Sequence, residues 1–151
     1  MSEDSRINQM QQIVQRMRDE LTSVGVKELR TPEEVDEALQ GEGAKGTTLV
    51  VVNSVCGCAG GLARPAVALS LKHDRIPDHL YTVFAGQDRE ATERARSYFG
   101  EMAPSSPSFA LLKDGKLVHM VHRHDIENAS LEEIVANLTH AYDRYIDGAS
   151  A

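Results

Sequence analysis

The stretch Thr47-Thr48-Leu49-Val50-Val51-Val52-Asn53-Ser54-Val55-Cys56-Gly57-Cys58-Ala59-Gly60-Gly61 decides how this chain is read. Its opening run is β-branched and apolar without polar alternation, the pattern of a central strand buried on both faces. Small residues then take over, which predicts a tight loop over 53–61 carrying both cysteines of the chain. Helical spacing returns after Gly61, so a helix is expected over 62–73, with Pro65 tolerated only in its first turn or as a kink. Thiols placed between a buried strand and a helix meet unpaired backbone N–H groups and the positive end of the helix dipole. Both favour the thiolate, the reactive form.

Upstream, Ile7, Met10, Val14, Met17, Leu21 and Val24 recur at steps of three and four, predicting an amphipathic helix over 6–24. Residues 26–29 read as a short strand. Thr31-Pro32-Glu33-Glu34 is a helix start, with Thr31 as N-cap, Pro32 at the first position and Glu34 closing a capping box. Val35 and Leu39 continue that helix, and Gly41-Glu42-Gly43 ends it. Downstream, 80–85 reads as a strand and 88–99 as a polar helix with Ala91, Ala95 and either Phe99 or Tyr98 turned inward. Residues 104–109 form a proline-marked turn, and 110–121 a hairpin around Asp114-Gly115. Ser130 caps a last helix bearing Leu131, Ile134, Val135, Leu138, Tyr142 and Tyr145 on one face. Alternating strands and helices imply parallel pairing, to which the hairpin adds antiparallel strands. The expected fold is α/β: a three-layer, thioredoxin-like arrangement with a mixed central sheet flanked by helices and an extra N-terminal helix. One domain is expected over 1–151.

The bulk composition narrows the function. The chain has 151 residues, 23 acidic against 16 basic, and a net charge of -7. Nucleic-acid binding needs clustered Lys and Arg and is not expected. The longest apolar run, 49–52, falls far short of a membrane span, and the opening MSEDSRINQMQQ has no signal-peptide pattern. A cytoplasmic protein is therefore expected. In that reducing compartment two cysteines are not a disulfide framework and need another reason.

Their spacing supplies one. Residues i and i+2 of an extended chain sit near the upper limit for a disulfide, so the loop must bend, and Gly57 is expected to permit the bend. Such a small ring should be strained and readily exchanged. No Lys, Arg or His lies close to Cys56 in sequence. The nearest cation, Arg64, reads as a solvated or capping charge, which leaves activation to backbone groups or remote residues. Two alternatives compete with a redox pair: inert buried cysteines, and a metal or iron–sulfur carrier using the Cys-x-Cys thiolates. His119, His122 and His124 are available as extra ligands but read as plain surface residues, and no metal site is expected.

The segments Val51–Ala66, with Cys-Gly-Cys at its centre, Tyr81–Asp88 and Pro104-Ser105-Ser106-Pro107-Ser108 resemble the bacilliredoxin family, over nearly the whole chain. The resemblance implies a thioredoxin-like thiol–disulfide oxidoreductase that removes bacillithiol from protein mixed disulfides, with disulfide isomerase or reductase activity alongside. It assigns Cys56 as nucleophile, Cys58 as the resolving thiol, and Pro107 as a cis-proline beside them. Ser54 and Ser106 are then expected to line the substrate. No cofactor is implied beyond bacillithiol as a thiol co-substrate. The partners are bacillithiolated or disulfide-bonded client proteins and a low-molecular-weight thiol, and a homodimer is left open. Some members of that family carry a further cysteine near the C-terminus. This chain has none there, which leaves Cys58 or an external thiol to recycle Cys56.

Overall fold

The structure, a computed structural model, describes residues 3–146; the chain end at 147–151 lies outside them. The apolar run becomes strand β2 (Thr47–Asn53), in which every residue is buried. It stands at the centre of a five-stranded sheet of order β1-β3-β2-β4-β5. β1 (Lys27–Glu28) and β3 (His79–Phe84) run parallel on one side of it. On the other side lie β4 (Ser108–Lys113), antiparallel to β2, and β5 (Lys116–Val121), antiparallel to β4.

Strand alternation divides the core into two layers. Leu49, Val51, Phe109 and Leu111 face α3 (Arg64–Ser70) and α6 (Leu131–Tyr145) through Ala66, Val67, Ile134, Leu138 and Tyr142. Val50, Val52, Ala110 and Leu112 face the opposite way, toward α2 (Pro32–Gln40) and α4 (Arg89–Arg96) through Val35, Leu39, Ala91 and Ala95. Burying each Val, Leu, Ile or Phe among these contributes about 1.5–3 kcal/mol. Two buried threonines of the sheet find backbone acceptors: Thr48 donates to the Gly43 carbonyl of the preceding turn at 2.9 Å and Thr82 to that of Val51 at 2.8 Å.

Local sequence signals set the elements where capping and turn chemistry are strong. Thr31 accepts the Glu34 N–H at 3.1 Å, although the Glu34 carboxylate takes the N–H of Arg30 rather than that of the cap itself. Ser130 and Glu133 form the reciprocal box of α6. Asp114 and Gly115 both have positive φ, 50° and 82°, as a two-residue hairpin requires. The strand expected at 26–29 is only two residues long, and a short helix α5 (Arg123–Glu127) follows the hairpin where none was expected. The helix expected over 88–99 stops at Arg96.

The first helix, α1 (Glu3–Thr22), corrects its expected face. Val14 and Leu21 are buried, but Ile7, Met10 and Val24 are exposed. No side chain from Glu3 to Ile13 is buried, because only the second half of α1 lies on the sheet. A charged residue, Arg18, completes the buried side. Among the described residues no helix is long and apolar enough to cross a membrane.

Candidate active site

β2 delivers the chain to one end of the sheet at Asn53, and the helix begins sooner than the loop of small residues suggested. Helical geometry starts at Gly57, passes through a wide π turn (Ala59–Ala63) and continues as α3. Cys56 is in capping position: its carbonyl accepts the N–H groups of Ala59 at 3.1 Å and Gly60 at 3.4 Å. The cysteines therefore stand on the first turn itself. The π turn absorbs Pro65, which lacks an N–H and whose ring would crowd the carbonyl one turn back in a regular α-helix.

The thiols are free, half-buried, and 2.8 Å apart at sulfur. They are not equivalent. Burial pushes the Cys56 thiol up, but donation from the Cys58 and Ser54 side chains, the Ala59 N–H and the positive charge of Arg123 outweigh it and hold Cys56 below its ordinary value. Cys58 is pushed up by burial, by sharing its proton with Cys56 and by the charge there. The arrangement favours one thiolate, at Cys56, with the proton retained on Cys58.

Gly57 is exposed, has no positive φ, and a Cβ there would meet open space. The reduced pair thus makes no demand on glycine freedom at this position; the expected bend concerns closure of the disulfide. Ser54 is buried, and its oxygen accepts the Cys56 N–H at 3.3 Å. Ser54 is thus held against Cys56, largely out of solvent. Pro107 follows a cis peptide after Ser106. The pairing of Val52 with Ser108 brings the start of β4 to the same sheet end as the cysteines.

Two arginines at this end make contacts that the local charge pattern does not show. Arg64 is not a solvated charge: it is buried, paired with Glu20 of α1, and donates to the Asn53 side chain at 2.9 Å and the Ser54 carbonyl at 2.8 Å. The signal for it was present as a glycine, Gly60, one helical turn before an arginine. Arg123 reaches the site from α5, where its guanidinium donates to the Ser106 carbonyl at 3.4 Å and pairs with Glu127. Nothing local in the sequence links residue 123 to residue 56; the fold alone brings them together.

The histidines do not gather around the sulfurs. His119 bonds Asn137 at 2.6 Å, while His122 begins α5 and stacks on His124. Among the described residues no group of three His, Cys, Asp or Glu side chains is placed to hold a metal. A cleft of about 460 Å³ beside α2, lined by Leu29, Glu34, Ala38 and Tyr81, shares no residue with the cysteine turn. The thiols stand on open surface flanked by exposed Val55, Gly57 and Gly61, a form suited to a disulfide carried by another macromolecule.

Known proteins share this arrangement at two levels. Solved thioredoxins share the fold: oxidised thioredoxin from Plasmodium falciparum superposes with a TM-score of 0.52 at 17% identity, over 82% of this chain and 100% of that one. A mutant thioredoxin from Halobacterium salinarum gives 0.54 at 17% identity, over 83% and 95%. Sequence relatives are nearer. A bacilliredoxin of Geobacillus kaustophilus is 58% identical over 89% of this chain and 91% of its own length. One of Bacillus cereus is 60% identical over 85% and 88%, and one of Staphylococcus haemolyticus 51% identical over 91% and 93%. A family model described as disulphide isomerase matches residues 9–146. With more than half of the residues shared along nearly the full length of these relatives, the likeness is one of kinship and not of fold alone: the chain belongs to the bacilliredoxin family and is a thiol–disulfide oxidoreductase.

Proposed function

We propose that this oxidoreductase removes a bacillithiol-type small thiol from mixed disulfides on client proteins, working in a reducing cytoplasm with Cys56 as the attacking thiol. The observation that carries the reading is the asymmetry of the pair. Cys56 is held toward the thiolate and Cys58 toward the thiol, with 2.8 Å between the sulfurs. The bacilliredoxin names of the relatives support bacillithiol as the small thiol.

In the first step the Cys56 thiolate attacks the bacillithiol sulfur of the mixed disulfide. A new S–S bond joins Cys56 to bacillithiol, the old one breaks, and the client cysteine leaves as thiolate and takes a proton from solvent. In the second, Cys58 loses its proton and attacks Cys56 sulfur. Bacillithiol leaves as thiolate, and the pair is left as a disulfide for an external dithiol to reduce. Arg123 offsets negative charge at both sulfurs during these exchanges. Ser106 and Pro107, at the cis peptide that precedes β4 on the same end of the sheet, supply the backbone against which the client segment lies. The disulphide isomerase description favours a second use of the same first step: Cys56 attacks a client disulfide and a client thiol displaces it, with no net redox change.

Mass spectrometry of single-cysteine variants tests the reading with a protein carrying a bacillithiol mixed disulfide. Cys58→Ser should accumulate one bacillithiol on Cys56, and Cys56→Ser should leave the substrate unchanged. Normal transfer by Cys56→Ser would reverse the roles. Stoichiometric zinc or iron in anaerobically purified protein would favour the carrier.

A further inference from the structure

Arg64 lies two helical turns beyond Cys56, yet its guanidinium reaches back to the strand that carries the nucleophile. Helical side chains lean toward the N-terminus of their helix, so the path from residue 64 to the Asn53–Ser54 corner crosses residue 60. A Cβ at Gly60 would stand 3.0 Å from the Arg64 Nη2 atom, whereas one at the neighbouring Gly61 would meet nothing. Gly60 leaves that path open.

At the far end, one guanidinium nitrogen donates to both the Ser54 carbonyl at 2.8 Å and the Asn53 side-chain oxygen at 2.9 Å. The same Asn53 oxygen accepts the Ser54 N–H at 2.8 Å. Ser54 is thus held at both its carbonyl and its N–H, which fixes the direction of its hydroxyl toward Cys56. The buried charge is balanced from α1, where Glu20 pairs with the Arg64 Nε atom. Burying a guanidinium without such a partner would cost several kcal/mol.

We propose that Arg64 is the positioning residue of the Cys56 site, fixing Ser54 beneath the sulfur, with Glu20 of the N-terminal helix balancing it and Gly60 clearing its path. Its effect passes through Ser54 and not through its own charge, and it rests on the reading of Cys56 as the attacking thiol. α1, the addition to the thioredoxin plan, thereby becomes part of the redox site.

The test is ultraviolet thiolate titration and iodoacetamide alkylation of reduced protein, with peptide mapping, alongside thermal unfolding. Arg64→Lys places a single ammonium where a planar fork bonded three acceptors. It should move the Cys56 titration upward and slow alkylation near neutral pH about tenfold. Gly60→Ala and Glu20→Gln keep the arginine and should slow alkylation about threefold each. Should Arg64→Lys fail to fold, those two variants decide by the same readout. Variants that melt lower while titrating and alkylating as the wild type does would make Arg64 a plain structural brace and overturn the proposal. Alkylation of Cys58 ahead of Cys56 in the wild type would instead overturn the underlying reading of the attacking thiol, and this proposal with it.

Discussion

Two buried arginines tie α1 to the rest of the molecule, and they do so for different ends. Arg18 projects from α1 onto two carboxylates of the scaffold, Asp88 at 2.7 Å and Glu28 at 3.0 Å, with its guanidinium 5.0 Å from the centre of the Phe84 ring. Arg64 projects from α3 and meets a single carboxylate, Glu20 of α1; its other acceptors are neutral groups of the cysteine corner. Arg18 and Glu20 are two residues apart, so they leave α1 on nearly opposite flanks. The first cluster matches charge with charge and holds elements in place. The second orders backbone that carries a thiol. A buried guanidinium is therefore a stability feature or a positioning feature according to what its fork grips, and sequence spacing alone does not distinguish the two.

The largest effect expected from breaking this contrast is on the Arg18 side. Arg18→Met leaves Glu28 and Asp88 together at the foot of α1, with the more exposed Arg30 at 3.8 and 3.9 Å. The fold should lose about 3 kcal/mol, read as a lower denaturant midpoint. The Cys56 titration in the folded protein should stay where it is. A shift there would show that the two clusters are coupled through α1 and would break the distinction between them.

A smaller effect is expected in the pH dependence of stability. Cys56 is held below its ordinary value, chiefly because donation from Cys58 and Ser54 overcomes its burial. The unfolded chain keeps that proton to higher pH than the folded one, so stability should rise with pH up to the ordinary thiol range and be lost as pH falls through the Cys56 value. Cys58 is displaced upward by burial and by Cys56, so its contribution is present below the ordinary thiol range and lost above it. Denaturant midpoints of the wild type minus those of Cys56→Ser should show the rising limb, and minus those of Cys58→Ser the falling one. Carrying Arg18→Met should leave the rising limb intact, whereas carrying Glu20→Gln should flatten it. Equal flattening by both would erase the contrast.

Much of this architecture was legible in the sequence because the signals are local. The unbroken run 47–52 could be buried on both faces only at the centre of a sheet, the Asp-Gly pair could close only a tight hairpin, and Thr31 and Ser130 announced their helices. The cysteine pair was legible for the same reason. The rest depends on contacts across the chain. Arg18 falls on the buried side of α1 because Glu28 and Asp88 await it from β1 and the start of α4, which periodicity cannot show. Arg123 arrives at the site through the return of the hairpin. α5 is a single short turn held by the Asp125 carboxylate accepting the His122 N–H at 3.0 Å, too brief to leave a periodic trace.

The smallest effect separates the two glycines of the cysteine turn. Gly60 is required by a neighbour, Gly57 in the reduced protein by nothing: its backbone is helical and the space beyond it is open. Gly57→Ala should therefore leave the Cys56 titration unchanged and raise the stability of the dithiol form by about 0.5–1 kcal/mol, the gain of alanine over glycine in a helix. Closing a disulfide between residues i and i+2 is a separate demand, since it needs a bend that glycine makes easily. If that demand is what keeps glycine at 57, the variant's thiol–disulfide equilibrium against glutathione should move toward the dithiol although its reduced structure is untouched. An unmoved equilibrium would mean that the ring closes without help from residue 57. Together with Gly60→Ala, the measurement assigns one glycine of the turn to the thiolate and the other to the disulfide.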